Sequence, residues 1–101
     1  MATLLRTDGS AEALQPPNGT HWTLAELQTL VGGYIEIIRT VDGKFMVIDE
    51  EGKLAHKRKA LNRAATMIYV HGRRDPIVGD ALLVDTRFEI NGNGPEEDEG
   101  D

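Results

Sequence analysis

A helix that stops at two glycines and runs straight into a tight hairpin is what Thr23 to Asp49 dictates, and no other stretch constrains the fold as much. Thr23 and Glu26 form a T-x-x-E capping box, in which each side chain accepts a hydrogen bond from an amide at the helix start. Leu24, Leu27, Leu30 and Val31 then recur at helical spacing, an apolar stripe for a core. Gly32 and Gly33 read as a left-handed C-cap followed by a close backbone contact. Order rules out the other use of such glycines, a phosphate-binding loop, because those loops precede their helix and this pair follows one.

Tyr34 to Val41 and Lys44 to Asp49 are β-branched or aromatic runs separated by Asp42-Gly43, the pair favoured in two-residue type I′ turns. That turn would set Val41 opposite Lys44, Ile38 opposite Val47, Ile37 opposite Ile48 and Glu36 opposite Asp49. Ile35, Ile37 and Ile48 then mark the core face. Tyr34, Glu36, Ile38, Val47 and Asp49 share the other, and they are the binding residues this reading expects. Opposed carboxylates in a sheet cost a few tenths to about 1 kcal/mol, so the pair calls for water, a nearby Lys or Arg, or a cation. A hard metal would want several oxygens, some of them from Glu36, Asp49 and Glu51, and a general acid/base pair would exploit separated pKa values. No ligand spacing is diagnostic. The sequence therefore leads to no metal, no cofactor and no assigned catalytic residue.

Charge is distributed in blocks. Residues 1–52 hold eight acids against three bases, residues 53–74 hold seven bases and no acid, and the stretch from Asn91 adds five acids. The net charge of -6 thus conceals one concentrated basic segment. Its members are Lys53, Lys57, Arg58, Lys59, Arg63, Arg73 and Arg74. They read either as a phosphate-contacting patch or as a solvated loop that balances the acids of the hairpin. Tyr69 is the single stacking candidate there, which weighs against nucleic acid. Within the segment, Lys53 to Lys59 reads as a loop and Asn62 as the cap of a short helix that turns Ala65, Met67, Ile68 and Val70 inward. Residues 91–101, ending in Glu96, Glu97, Asp98, Glu99 and Asp101, have nothing to bury and are expected to be a disordered acidic tail.

Toward the N-terminus, Thr3 to Thr7 and Ala11 to Gln15 flank Asp8-Gly9, a second hairpin signal. Gln15 to Gly19 is a loop, Trp22 is placed to act as a hydrophobic staple over Glu26 and Leu27, and Asp75 to Val84 reads as a turn and a strand. The sum is a single α+β domain over residues 1–90, a mainly antiparallel sheet of about five strands with two short helices covering one face. At 101 residues without cysteine, the chain has no disulfide, thiolate zinc site or thiol chemistry. No apolar run nears the roughly 20 residues of a membrane span, and Met1 to Asp8 lacks a signal peptide's apolar region. A cytoplasmic protein is the expectation.

The blocks QPPNG (residues 15–19), WTLAELQTLVGGYIEII (22–38), VIDEEGKL (47–54), LNRAAT (61–66) and DPIVGDALLV (75–84) stand in an order and at spacings that resemble a family of small domains of unknown function found in phages, plasmids and bacteria. The resemblance covers roughly residues 12–85. It implies a mobile-element accessory protein acting on host machinery, and it brings no activity or catalytic residue. The HKRKA stretch (residues 56–60) is more basic than that family's usual short linker.

Three functions follow in order. The first is a non-enzymatic interaction domain that binds a host protein or its own copy, since His21, His56 and His71 lie in unrelated contexts with no nucleophile–base pattern. The second is a nucleic-acid or nucleotide binder using residues 53–74. The third is an enzyme using Glu36 and Asp49.

Overall fold

The computed structural model describes residues 2–92, so the acidic stretch expected to be disordered lies outside the described residues from 93 onward. Five strands, β1 (Ala2–Leu5), β2 (Ala11–Leu14), β3 (Ile35–Arg39), β4 (Phe45–Asp49) and β5 (Ala81–Val84), form one sheet in the order β2-β1-β5-β4-β3. All four ladders are antiparallel. Two helices, α1 (Leu24–Val31) and α2 (Arg63–Ile68), complete the α+β fold, and a 3₁₀ turn at Arg87–Glu89 that the sequence did not announce follows β5.

Helix α1 begins and ends as its sequence requires. Thr23 and Glu26 make the reciprocal capping box, and Gly32, at φ 83°, donates its N–H to Gln28 O at 2.8 Å. Leu27 and Val31 are buried against Leu4, Val47, Leu82 and Val84. Trp22 joins the same cluster, with only 5% of its surface exposed.

The helices do not share a face. Ala65 of α2 packs with Ile38, Met46, Ile48, Ile77 and Ala81 on the opposite side of the sheet from α1. The sheet is therefore the middle of three layers, with a helix on each face instead of both on one, although Ala11, Glu12 and Ala13 of the edge strand β2 and Glu36 of β3 stay exposed. Met67 and Val70, expected to point inward, are 81% and 48% exposed. The helix is too short for more than one inward stripe, and Ala65 and Ile68 take it.

The central hairpin carries the largest correction. Its pairs are Ile35↔Asp49, Glu36↔Ile48, Ile37↔Val47, Ile38↔Met46 and Arg39↔Phe45, one residue away from the expected register. The loop holds three residues rather than two. Thr40 N–H donates to Lys44 O at 2.9 Å, Gly43 N–H returns to Thr40 O at 3.1 Å, and Gly43 takes the left-handed position at φ 85°. The buried Thr40 side chain supports this loop: its hydroxyl donates to Asp42 Oδ1 and accepts from Lys44 N–H. A one-residue slip exchanges the two faces of one strand relative to the other. Glu36 and Asp49 consequently lie on opposite sides of the sheet.

Beyond the hairpin, the chain leaving α2 lies along the outer side of β3. Val41 N–H donates to Ile68 O at 2.8 Å, Val70 N–H donates to Arg39 O at 3.1 Å, and Thr40 bridges Tyr69. Asn62 ties the layers together, fully buried. Its Nδ2 donates to Leu5 O and Gly79 O, each at 2.9 Å, while its Oδ1 accepts the Ala65 N–H at 3.0 Å as the cap of α2. At the chain's other end, Asn91 N–H donates to Trp22 O at 2.7 Å.

Candidate functional site

The chemistry that the sequence concentrated in the hairpin collects around Asp49 alone. The last residue of β4, it faces the α1 side with its side chain completely buried. A buried carboxylate must be paired and hydrogen-bonded to stay charged, and this one is. Lys57 Nζ and Lys59 Nζ each lie 2.9 Å from Oδ2, and Glu51 N–H donates to Oδ1 at 2.9 Å. Burial pushes its pKa up, but the hydrogen bonds from Lys57, Lys59 and Glu51 outweigh that and hold it below the ordinary 3.8.

The two lysines also close the end of α1. Lys57 Nζ donates to Gly32 O at 3.1 Å and Lys59 Nζ donates to Val31 O. Cations belong at a helix C-terminus, where unpaired carbonyls concentrate negative charge. The two glycines make the approach possible. A Cβ on Gly33 would collide with Lys57 Nζ and stand 2.8 Å from Asp49 Oδ1, and one on Gly32 would stand 2.9 Å from Lys59 Nζ. The close contact read from Gly32-Gly33 is therefore a contact with the basic loop. Arg58, between the lysines, adopts φ 45°, so that successive odd residues of the loop both reach the carboxylate.

Two open clefts flank the last turn of α1. One, of about 440 Å³, runs past Gln28, Gly33, Tyr34, Glu51 and Lys57; the other, of about 340 Å³, passes Thr7, Gly32, Lys59, Gly79 and Asp80. The lysine in each is already committed to Asp49 and a helix carbonyl. What the arrangement does chemically is pin the loop of residues 50–60 to helix and sheet.

The expected binding residues are dispersed. Tyr34 is 64% exposed just before β3 and Glu36 is exposed on the α2 side, whereas Ile38 is buried under α2 and Val47 under α1. Ile38 and Val47 are core residues of separate layers because the register differs by one. The basic segment is divided as well. Lys57 and Lys59 belong to the α1 side, Lys53 pairs with Asp75, and Arg58, Arg63, Arg73 and Arg74 are exposed. The geometry removes the Glu36–Asp49 acid/base pair. Among the described residues no group of three or more His, Asp or Glu is placed to hold a metal, and no helix is long and apolar enough to cross a membrane.

The sequence marks Asn62 only as a cap, and the reading of it takes in neither of the buried Arg87 and Glu89 after β5. The partners of Asn62 lie 57 and 17 residues away in the chain, and no local pattern encodes them. Glu89 carries part of a local signal, since Thr86 and Glu89 repeat the T-x-x-E spacing and cap the 3₁₀ turn.

No curated protein and no solved structure matches the chain. The family described as Domain of unknown function (DUF3846) matches it over residues 4–93, a span that takes in both helices and the whole sheet from Leu4 onward, and the chain belongs to that family.

Proposed function

We propose that the protein is a non-enzymatic accessory interaction domain, of phage or plasmid origin, that binds a host protein or a second copy of itself. The observation that carries this reading is the set of large apolar side chains left on the outside of a molecule whose sheet carries a helix on each face. Met67 is 81% exposed, Val41 67% and Tyr34 64%. Tyr34 stands at the opposite end of β3 from Val41, so these are separate anchor points, and exposed apolar side chains rimmed by polar groups are how partner surfaces are usually built. The Asp49 cluster supports the same reading, because its charges are spent on holding the loop of residues 50–60 in place.

The test is a pull-down of the tagged chain from a bacterial lysate at two salt concentrations, with and without nuclease, alongside light scattering of the purified protein. A defined protein recovered after nuclease treatment, or a dimer mass, is the expected result. A second reading, nucleic-acid or nucleotide binding, is favoured by four exposed arginines of the basic segment, Arg58, Arg63, Arg73 and Arg74. Recovery of nucleic acid alone, lost steeply as salt rises, would establish that reading instead.

A further inference from the structure

We infer that the outer edge of β2 is where a second copy of this chain docks, its own β2 pairing antiparallel about a two-fold axis at Ala13 so that the two sheets become one. The inference rests on the interaction reading above and names its surface and its partner. Arg6 N–H donates to Ser10 O at 2.9 Å, and alternation from there makes Leu4↔Glu12 and Ala2↔Leu14 the hydrogen-bonded pairs of the ladder between β1 and β2. Ala11 and Ala13 therefore turn their N–H and C=O groups outward, as does Gln15 at the next step of the alternation. Among the described residues no hydrogen bond engages those groups. The sheet's other border differs, because at β3 the chain's own Ile68 and Val70 already bond to Val41 and Arg39. β2 has no such cover: its pairing with β1 runs without a bulge, no Lys or Pro interrupts it, and Ala11, Glu12 and Ala13 are exposed.

The register follows from the same residues. With Ala13 opposite Ala13 of the second copy, Ala11 faces Gln15, Glu12 faces Leu14, and about six backbone hydrogen bonds cross the axis. An axis at Glu12 would set like charges directly opposite each other. An axis at Leu14 would set Ala11 opposite Pro17, which has no N–H to donate. The one charged side chain of β2, Glu12, is already paired with Arg6 of its own hairpin. Ala11 and Ala13 make a flush edge without pockets. A foreign strand is recognised through pockets for its alternate side chains, whereas an identical strand needs only a matching ladder, and the two-fold axis supplies every contact twice. The chain's own Glu96 to Asp101 is a run of acids with no strand-forming residue, so it is not the occupant.

The test is sedimentation of the full-length protein from micromolar to millimolar concentration, with introduced cysteines reporting the register, since the chain has none of its own. A mass of two chains that dissociates on dilution is expected. Ala13→Cys lies at the axis, where paired Cα atoms stand about 5.5 Å apart, so mild oxidation or a short thiol crosslinker should join the two chains. Ala11→Cys, about 14 Å from its own copy, should stay unjoined. Ala13→Pro deletes an outward N–H that the ladder to β1 does not use, and Ala13→Lys sets two ammonium groups at the axis. Each should weaken the dimer about tenfold or more. Circular dichroism with thermal melting checks the fold of each variant, and the exposed position 13 accommodates the lysine even where the proline does not fold. A monomer at every concentration, a dimer that neither change at position 13 weakens, or Ala11→Cys joining as fast as Ala13→Cys overturns the inference. A host protein captured by the wild type and lost with Ala13→Pro, with no dimer, puts a foreign strand on this edge and overturns the second copy as its occupant. A host protein captured equally by the wild type and both variants, again with no dimer, overturns the edge while leaving the interaction reading intact. A monomer that captures no protein overturns both.

Discussion

Lys57 reaches Asp49 across the Cα of Gly33: its ammonium nitrogen stands 2.9 Å from Asp49 Oδ2 in the space a Cβ on residue 33 would occupy. Gly33→Ala is therefore expected to destabilise the protein by about 1–3 kcal/mol, because Lys57 can swing aside but the buried Asp49 cannot. Urea unfolding measures it. A loss below about 0.5 kcal/mol would mean that the loop of residues 50–60 is not held where it is described.

Asp49 and Glu36 should respond oppositely to loss of charge. Asp49→Asn leaves two ammonium groups facing a neutral amide and should cost about 3 kcal/mol, the lower end for a broken buried pair because both lysines keep some solvent contact. Glu36→Gln, on the exposed opposite side, should shift stability by less than about 1 kcal/mol. Comparable effects from the two would restore the facing carboxylates. Lys57→Met and Lys59→Met together should cost more than the sum of the single changes, since either lysine alone still partners the carboxylate.

Acid should erase the contribution of Asp49. Its pKa is depressed by the net effect of burial, which raises it, and the Lys57, Lys59 and Glu51 hydrogen bonds, which lower it further. A depressed acid stabilises the fold fully above its unfolded value and stops doing so as pH falls through its folded one. The stability gap between the wild type and Asp49→Asn should hence be constant from about pH 5 to 8 and shrink below about pH 4. Asp8 and Asp42 are also depressed, by hydrogen bonds from Ser10 and Thr40, but they are common to both proteins and cancel. A gap unchanged at pH 3 would contradict the cluster.

Asn62→Ala should be among the most damaging single changes, at about 2–4 kcal/mol, because it strands the carbonyls of Leu5 and Gly79 and the amide of Ala65 in the interior. Asn62→Asp should rescue little. It keeps the cap but sets a carboxylate against two carbonyl oxygens. Thermal melting of both variants decides it, and a rescue to near wild-type stability would show that only the cap matters.

How far the fold is legible in the sequence depends on the range of the interaction concerned. The capping box at Thr23 and Glu26, the left-handed stop at Gly32 and the two Asp-Gly hairpins involve neighbours a few residues apart, and these the sequence announces. The register of β3 on β4 turns on whether Asp42-Gly43 closes a loop of two residues or three, and the dipeptide alone is compatible with both; the three-residue loop forms, with the Thr40 hydroxyl bonded inside it. From that one-residue difference come the misplacement of Ile38, Val47 and Asp49 and the carboxylate pair that does not form. The lysine cluster was half legible. Gly32-Gly33 signalled that something approaches closely, and the run of bases supplied the candidates, but their meeting depends on a fold-back across more than twenty residues.

The two backbone bonds that lay Tyr69 and Val70 along β3 also bear on polymerisation. A bare strand border is a template on which a second chain can lengthen the sheet indefinitely. At Arg39 to Val41 that border is already filled by the protein's own main chain. A foreign strand running alongside β3 meets an obstruction after about three residues, too short a run to seed a fibre. Opening the hydrogen bonds at Val70 and Ile68 would expose the full length of β3, and with it a route to aggregation that the closed chain denies.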